Sequence, residues 1–167
     1  MARARQPIFR DLNRTDVQEL LARNHVGRIA YSFHGRVDIE PIHYVFADGA
    51  FCMRTEPGSK LATLVHAPWV ALEVDEVDGP FDWRSVVAHG TVYVLRDEGT
   101  PNERATYRAA VERIRELIPE ALDTGDPVPA RRVIIKLYPS ALVGREARFG
   151  TRHAVEAPRA SSRTGAG

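Results

Sequence analysis

Two dipeptides, His34-Gly35 and Asp48-Gly49, constrain this chain most, because each sits between short runs whose apolar residues alternate. Such pairs accept the positive backbone angles of a tight hairpin turn. They cut residues 27–55 into three strands: Gly27–Phe33 with Ile29, Tyr31 and Phe33 inward, Asp38–Phe46, and Ala50–Thr55. Pro41 interrupts the second strand and, lacking a backbone donor, belongs at an edge, a bulge or a lapse in pairing. Val70, Leu72 and Val74 mark a fourth strand, followed by an acidic loop from Asp75 to Asp82. Trp83–Leu95 reads as a long fifth strand with a bulge or close backbone approach at Gly90. Arg132–Tyr138 is the last strand, and Ala141–Ala147 extends the sheet.

Three helical patterns are scattered among these strands. Thr15 and Gln18 have the form of a capping box before the stripe Val17, Leu20 and Leu21. Ser59 is placed to cap a short helix through Leu61, Leu64 and Val65 that Pro68 stops. Thr100, Pro101 and Glu103 open the longest helix, with its stripe at Tyr107, Val111, Ile114 and Ile118. Strands and helices do not alternate regularly, which argues against a doubly wound parallel sheet. The expected fold is mainly β with helical additions, an antiparallel barrel. A chain of 167 residues with 44% hydrophobic residues fits one domain, over residues 1–153. Residues 154–167 carry Val155 as their only sizeable apolar side chain and read as a disordered tail.

Several functions are disfavoured by composition. No apolar run approaches the roughly 20 residues that span a bilayer, and no apolar core follows the basic start Met1–Arg5. A cytoplasmic protein is expected. The lone Cys52 lies in an apolar strand and reads as core packing. The acidic middle and basic C-terminal part have dispersed charges without an aromatic platform, so nucleic-acid binding is not expected. No Cys or His pair has zinc spacing, Asp75, Glu76, Asp78 and Asp82 share one loop without the calcium-loop pattern and read as solvated, and no nucleophile elbow surrounds a serine.

Two segments carry chemistry. Arg54-Thr55-Glu56-Pro57-Gly58-Ser59-Lys60-Leu61 leaves a strand, turns and enters a helix. Two cations, two hydroxyls and the amides of a helix start suit a phosphate, although the spacing is not that of a P-loop. A solvated turn with a helix cap is the plainer alternative. In Asp82-Trp83-Arg84-Ser85-Val86-Val87-Ala88-His89-Gly90, the tryptophan at a strand mouth suits either a planar ligand or a core position.

These segments, together with Val26-Gly27-Arg28-Ile29-Ala30-Tyr31, Pro41-Ile42-His43-Tyr44 and Leu72-Glu73-Val74-Asp75, resemble the pyridoxamine 5'-phosphate oxidase-like family. The similarity runs over about residues 12–148 and is greatest to the nitroimidazole-resistance branch. It implies a six-stranded split barrel, homodimeric, with FMN between the subunits. By the same resemblance Arg54, Thr55, Ser59 and Lys60, with Leu61 following, hold the flavin phosphate. Pro41, Ile42 and Tyr44 lie beside the isoalloxazine ring, and Trp83, Ser85 and Val86 lie where the flavin is closed over. There are departures. The stretch Leu137–Ala141 lacks the tryptophan of true pyridoxamine phosphate oxidases, and no Arg-x-His follows it. Met53-Arg54 stands where the nitroimidazole branch often carries histidine. The expected function is an FMN-dependent oxidoreductase that reduces a small aromatic or nitro compound, with NAD(P)H a candidate electron donor and no catalytic side chain assigned. A non-catalytic flavin-binding or flavin-sensing protein is the alternative. Other relatives bind a deazaflavin or haem, and a haem ligand here is sought at His43 or His89.

Overall fold

A computed structural model of the chain describes residues 6–149. The elements are β1 (Pro7–Asp11), α1 (Arg14–Arg23), β2 (Val26–Phe33), β3 (Arg36–Ala47), β4 (Ala50–Thr55), α2 (Ser59–His66), β5 (Trp69–Gly79), β6 (Asp82–Leu95), α3 (Pro101–Leu117) and β7 (Val133–Phe149). All strand pairs are antiparallel. Six strands run in the order β7-β4-β3-β2-β5-β6, and a β6–β7 pairing closes the ring. The fold is therefore a mainly β, six-stranded closed ring with three helices added.

β7 holds the ring together because its 17 residues exceed the length of any neighbour. Its first part pairs with β4, Thr55 opposite Val133 through Phe51 opposite Leu137. Its last part pairs with β1, Asp11 opposite Arg145 through Pro7 opposite Phe149. β6 lines the other edge throughout, with the register shifting between His89 and Gly90. A Cβ at Gly90 would lie 2.2 Å from the Tyr138 carbonyl oxygen, so no larger residue fits that crossing.

Alternation sorts the side chains into two apolar layers. Ile29, Tyr31, Ile42, Tyr44, Phe51, Met53, Leu72, Val74, Val86 and Leu137 fill the ring, and Val17, Leu20 and Leu21 of α1 with Leu64 of α2 join them. Cys52 and Ile134 face outward from the ring and pack beneath Ala110, Val111 and Ile114 of α3. Burial raises the Cys52 thiol above its ordinary range, in keeping with a packing role. A Cβ at Gly144 would lie 2.6 Å from Val17 Cγ2, so α1 rests directly on β7. Tyr44 Oη reaches out of the core and donates to the Leu21 carbonyl at 3.0 Å, satisfying an acceptor that the helix end leaves open.

The hairpin turns are as expected, with positive φ at His34, Gly35, Asp48 and Gly49. Five local readings are corrected. Asn13, not Thr15, caps α1, its side chain accepting from the Asp16 N–H at 2.9 Å. Ser59 is the first residue of α2, and Gly58 holds the cap position. Phe33 is exposed, because the strand ends as it leaves the ring. Residues 75–79 are strand rather than loop, held by pairing to β6, and the turn falls at Pro80-Phe81. Glu76 there is not merely solvated: it accepts from Arg23 Nε at 2.6 Å and Asn24 Nδ2 at 2.7 Å. No helix among the described residues is long and apolar enough to cross a membrane. The proposed tail, residues 154–167, lies outside the described residues.

Candidate functional site

The phosphate-like segment folds as a strand, a three-residue turn and a helix, and successive residues of β4 face opposite ways. Thr55 shares the inward-facing row of Phe51 and Met53. Its hydroxyl is buried and has no hydrogen-bond partner. Glu56, Pro57 and Gly58 then turn the chain outward, and Ser59 and Lys60 form the first turn of α2. Gly58 has no side chain with which to cap the helix, so the first amides of α2 have no side-chain acceptor. Those amides and the positive end of the helix dipole sit beside the one lysine of the segment.

Arg54 belongs to the other face. Both of its terminal amino groups bind Asp126, Nη1 to Oδ2 at 2.5 Å and Nη2 to Oδ1 at 2.7 Å. Each side chain is only 3% exposed. Asp126 also accepts from the Leu122 and Val128 amides, which fixes the loop after α3. The Arg54 guanidinium holds the Asp126 carboxyl well below the usual carboxylate range. Arg54 Nε remains buried without a partner. The cation expected to grip phosphate thus secures the α3–β7 loop, and Lys60 is left as the accessible positive charge at the α2 turn.

Lys60 Nζ lies 2.8 Å from Glu40 Oε2, and Tyr31 Oη donates to Glu40 Oε1 at 2.5 Å. These two donors hold the Glu40 carboxyl below its ordinary range, Lys60 contributing most. Sequence reasoning missed Glu40. The only signal was an acidic residue next to Pro41, which looks solvated until the strands meet α2.

The remaining expected residues divide. Ile42, Tyr44 and Val86 are buried in the ring, so they shape the strands from inside. Pro41 is exposed on the outward face opposite Arg28. Ser85 Oγ donates to Glu73 Oε1 at 3.2 Å, and Glu73 also accepts from Arg28 at 3.1 Å. Trp83 lies at the start of β6, its ring 6.3 Å from Phe9. Leu61 packs against the core. The structure therefore brings Thr55, Ser59 and Lys60 to one turn and distributes the others over the barrel wall. His43 lies 3.3 Å from Arg131 at the edge of a cavity of about 210 Å³ beneath α3, and burial followed by the Arg131 charge pushes its pKa down. His89 is exposed on β6. Among the described residues no cluster of three His, Cys, Asp or Glu could hold a metal ion. A concavity of about 540 Å³ between the end of β6 and the start of α3 contains none of the expected residues and none of the buried unpartnered polar atoms found among the described residues.

The family described as pyridoxamine 5'-phosphate oxidase matches this sequence over residues 13–146. No curated protein matches the chain. Among solved structures, a FAD-binding protein from Mesorhizobium loti is similar at TM-score 0.67 and 24% identity, covering 83% of this chain and 97% of its own. A candidate 5-nitroimidazole antibiotic resistance protein from Bacteroides thetaiotaomicron aligns at TM-score 0.62 and 14% identity, covering 85% and 89%. A FAD and heme binding protein from Mycobacterium smegmatis aligns at TM-score 0.61 and 17% identity, covering 81% and 72%. The nitroimidazole-type protein is one of several such neighbours, and at these identities the likeness is one of fold.

Proposed function

This chain belongs to the pyridoxamine 5'-phosphate oxidase family, and on that premise we propose that it binds FMN through the turn entering α2 and acts as an oxidoreductase on a small aromatic or nitro compound. One observation carries the reading: a buried, unpartnered Thr55 hydroxyl and a helix start with no side-chain cap flank Lys60. A phosphate supplies the acceptors that this donor set lacks. The Thr55 and Ser59 hydroxyls, the first amides of α2 and Lys60 would hold it. Bound flavin supplies hydride chemistry. The chain's own part is to bind, orient and exclude water, and no side chain is assigned as acid or base. Two proteins of the same fold bind FAD, one of them haem as well, which supports a flavin as the ligand.

The same reading takes the protein to be a homodimer that completes the flavin site. Its support is the apolar surface left on the outer wall, where Val37 and Ile39 of β3 are 70% and 63% exposed and Val143 of β7 is 50% exposed. Light scattering should give about twice 18.6 kDa. The cofactor is tested by titrating FMN and riboflavin, followed by flavin fluorescence, into wild type and Lys60→Ala. FMN should bind tighter, and the mutation should cost about tenfold to a hundredfold in FMN affinity while sparing riboflavin. Equal affinities unmoved by the mutation would refute the phosphate assignment. Addition of NADH or NADPH then separates an enzyme from a flavin carrier by whether the bound flavin bleaches in repeated cycles.

A further inference from the structure

The carboxylate that touches Lys60 has a role of its own. Glu40 stands directly before Pro41, opposite Ile29 on β2, in the inward-facing row with Ile42 and Tyr44. It is the point where β2, β3 and α2 meet: Tyr31 Oη donates to one oxygen and Lys60 Nζ to the other. An ammonium has three donors, so two remain for another acceptor once Glu40 has taken one. Its charge is a different matter. Arg54 is engaged by Asp126 on the opposite face of β4, so the accessible positive charge at this turn is that of Lys60, and Glu40 offsets it.

We propose that Glu40 is the specificity-determining residue of the phosphate site, lowering the affinity for a phosphorylated ligand relative to its unphosphorylated counterpart. The inference rests on the flavin-phosphate reading and deepens it. A phosphomonoester carries a charge of about −1.5 to −2 near neutral pH. A carboxylate bonded to the same lysine repels it, and the Lys60 hydrogen bond to Glu40 competes with the one to phosphate. The carboxylate is still 43% exposed, so solvent screens the repulsion without abolishing it. A residue that only pinned α2 in place would affect phosphorylated and unphosphorylated ligands alike.

The test is the ratio of FMN to riboflavin affinity in wild type, Glu40→Gln and Glu40→Asp. Glutamine keeps the shape without the charge: its carbonyl oxygen accepts from Lys60 while its amide group donates to the Tyr31 hydroxyl. Glu40→Gln should raise the ratio about tenfold at low salt, and the gain should shrink near 1 M salt, where the Debye length is about 3 Å. Glu40→Asp, which retains the charge, should not exceed wild type. Should Glu40→Gln not fold, Glu40→Ala is read in the same way. An unchanged or lower ratio in the uncharged variant overturns the proposal, a fall meaning that Glu40 serves to position Lys60. If wild type binds neither flavin, the flavin reading fails separately. Inorganic phosphate, followed by the amide NMR shifts of residues 58–60, then decides: tighter binding to Glu40→Gln supports the role of Glu40, and equal or weaker binding ends it.

Discussion

The starts of α2 and α3 are built on opposite plans. At α3, Thr100 accepts from the Glu103 amide while the Glu103 carboxylate accepts from the Thr100 amide at 2.7 Å, and Pro101 removes one donor that would otherwise need a partner. Every local group there serves the helix. At α2 the cap position holds Gly58, no side chain answers the first amides, and a buried threonine hydroxyl before the turn is also unanswered. Glycine at the cap position costs only about a few tenths of a kcal/mol relative to a capping side chain, so the α2 start stays open at little expense to the fold. On the proposed reading, the difference is that the α2 turn is left open to an external acceptor and the α3 turn is not.

The contrast can be broken by moving the cap. Gly58→Asp supplies α2 with the acceptor that α3 already has and adds a negative charge where phosphate is expected. FMN affinity should fall by about thirtyfold with the melting temperature unchanged or raised, as a flavin titration and a thermal scan would establish. A smaller step is Thr55→Val, which removes the unpartnered hydroxyl at nearly constant volume. Stability should hold or rise, while FMN binding weakens about threefold to tenfold; a loss of stability would mean that the hydroxyl has a partner within the protein. At the closed start, Thr100→Ala should cost about 1 kcal/mol, or roughly 2–4 °C in melting temperature, and leave both flavins binding as before.

The smallest effect at neutral pH concerns a third helix end. Glu76, hydrogen-bonded to Arg23 and Asn24 at the end of α1, has its pKa lowered from 4.5 to about 2, with Arg23 the main cause. A carboxyl depressed in the folded state stabilises above its unfolded pKa, and that stabilisation is lost as pH falls through the folded value. Denaturant unfolding of wild type should therefore weaken between about pH 4.5 and pH 2, and Glu76→Gln should flatten that part of the curve. Equal slopes would assign the acid sensitivity to other carboxyls.

Local chemistry was legible in the sequence where the physics is local. The turns at His34-Gly35 and Asp48-Gly49 and the Thr100 capping box each depend on residues within a few positions of one another, and Gly90 stood out only as a glycine within a strand, its partner Tyr138 lying on β7. β1 was not legible, because four residues of Pro7–Asp11 are exposed and show no alternation; it is a strand only because the edge of β7 accepts it. The acidic run from Asp75 looked like a loop because its strand character comes from β6. At the site, Thr55, Ser59 and Lys60 were recognisable as a donor set. The fate of Arg54 was hidden, since its partner lies 72 positions away, and Glu40 acquires its meaning only when the ring brings it to α2.

The ring closes through its last strand, and this bears on how the chain is made. β4 and β6 both wait for β7, which follows β6 by a helix and a long loop and β4 by two helices and two strands. Until residues 133–149 leave the ribosome, two strand edges and the apolar interior they border stay open to other chains. Pairings this distant in sequence form late and slowly. A chain cut short before Leu142 of β7 should consequently go to inclusion bodies, whereas one missing only β1 keeps the closed ring and should remain in the supernatant.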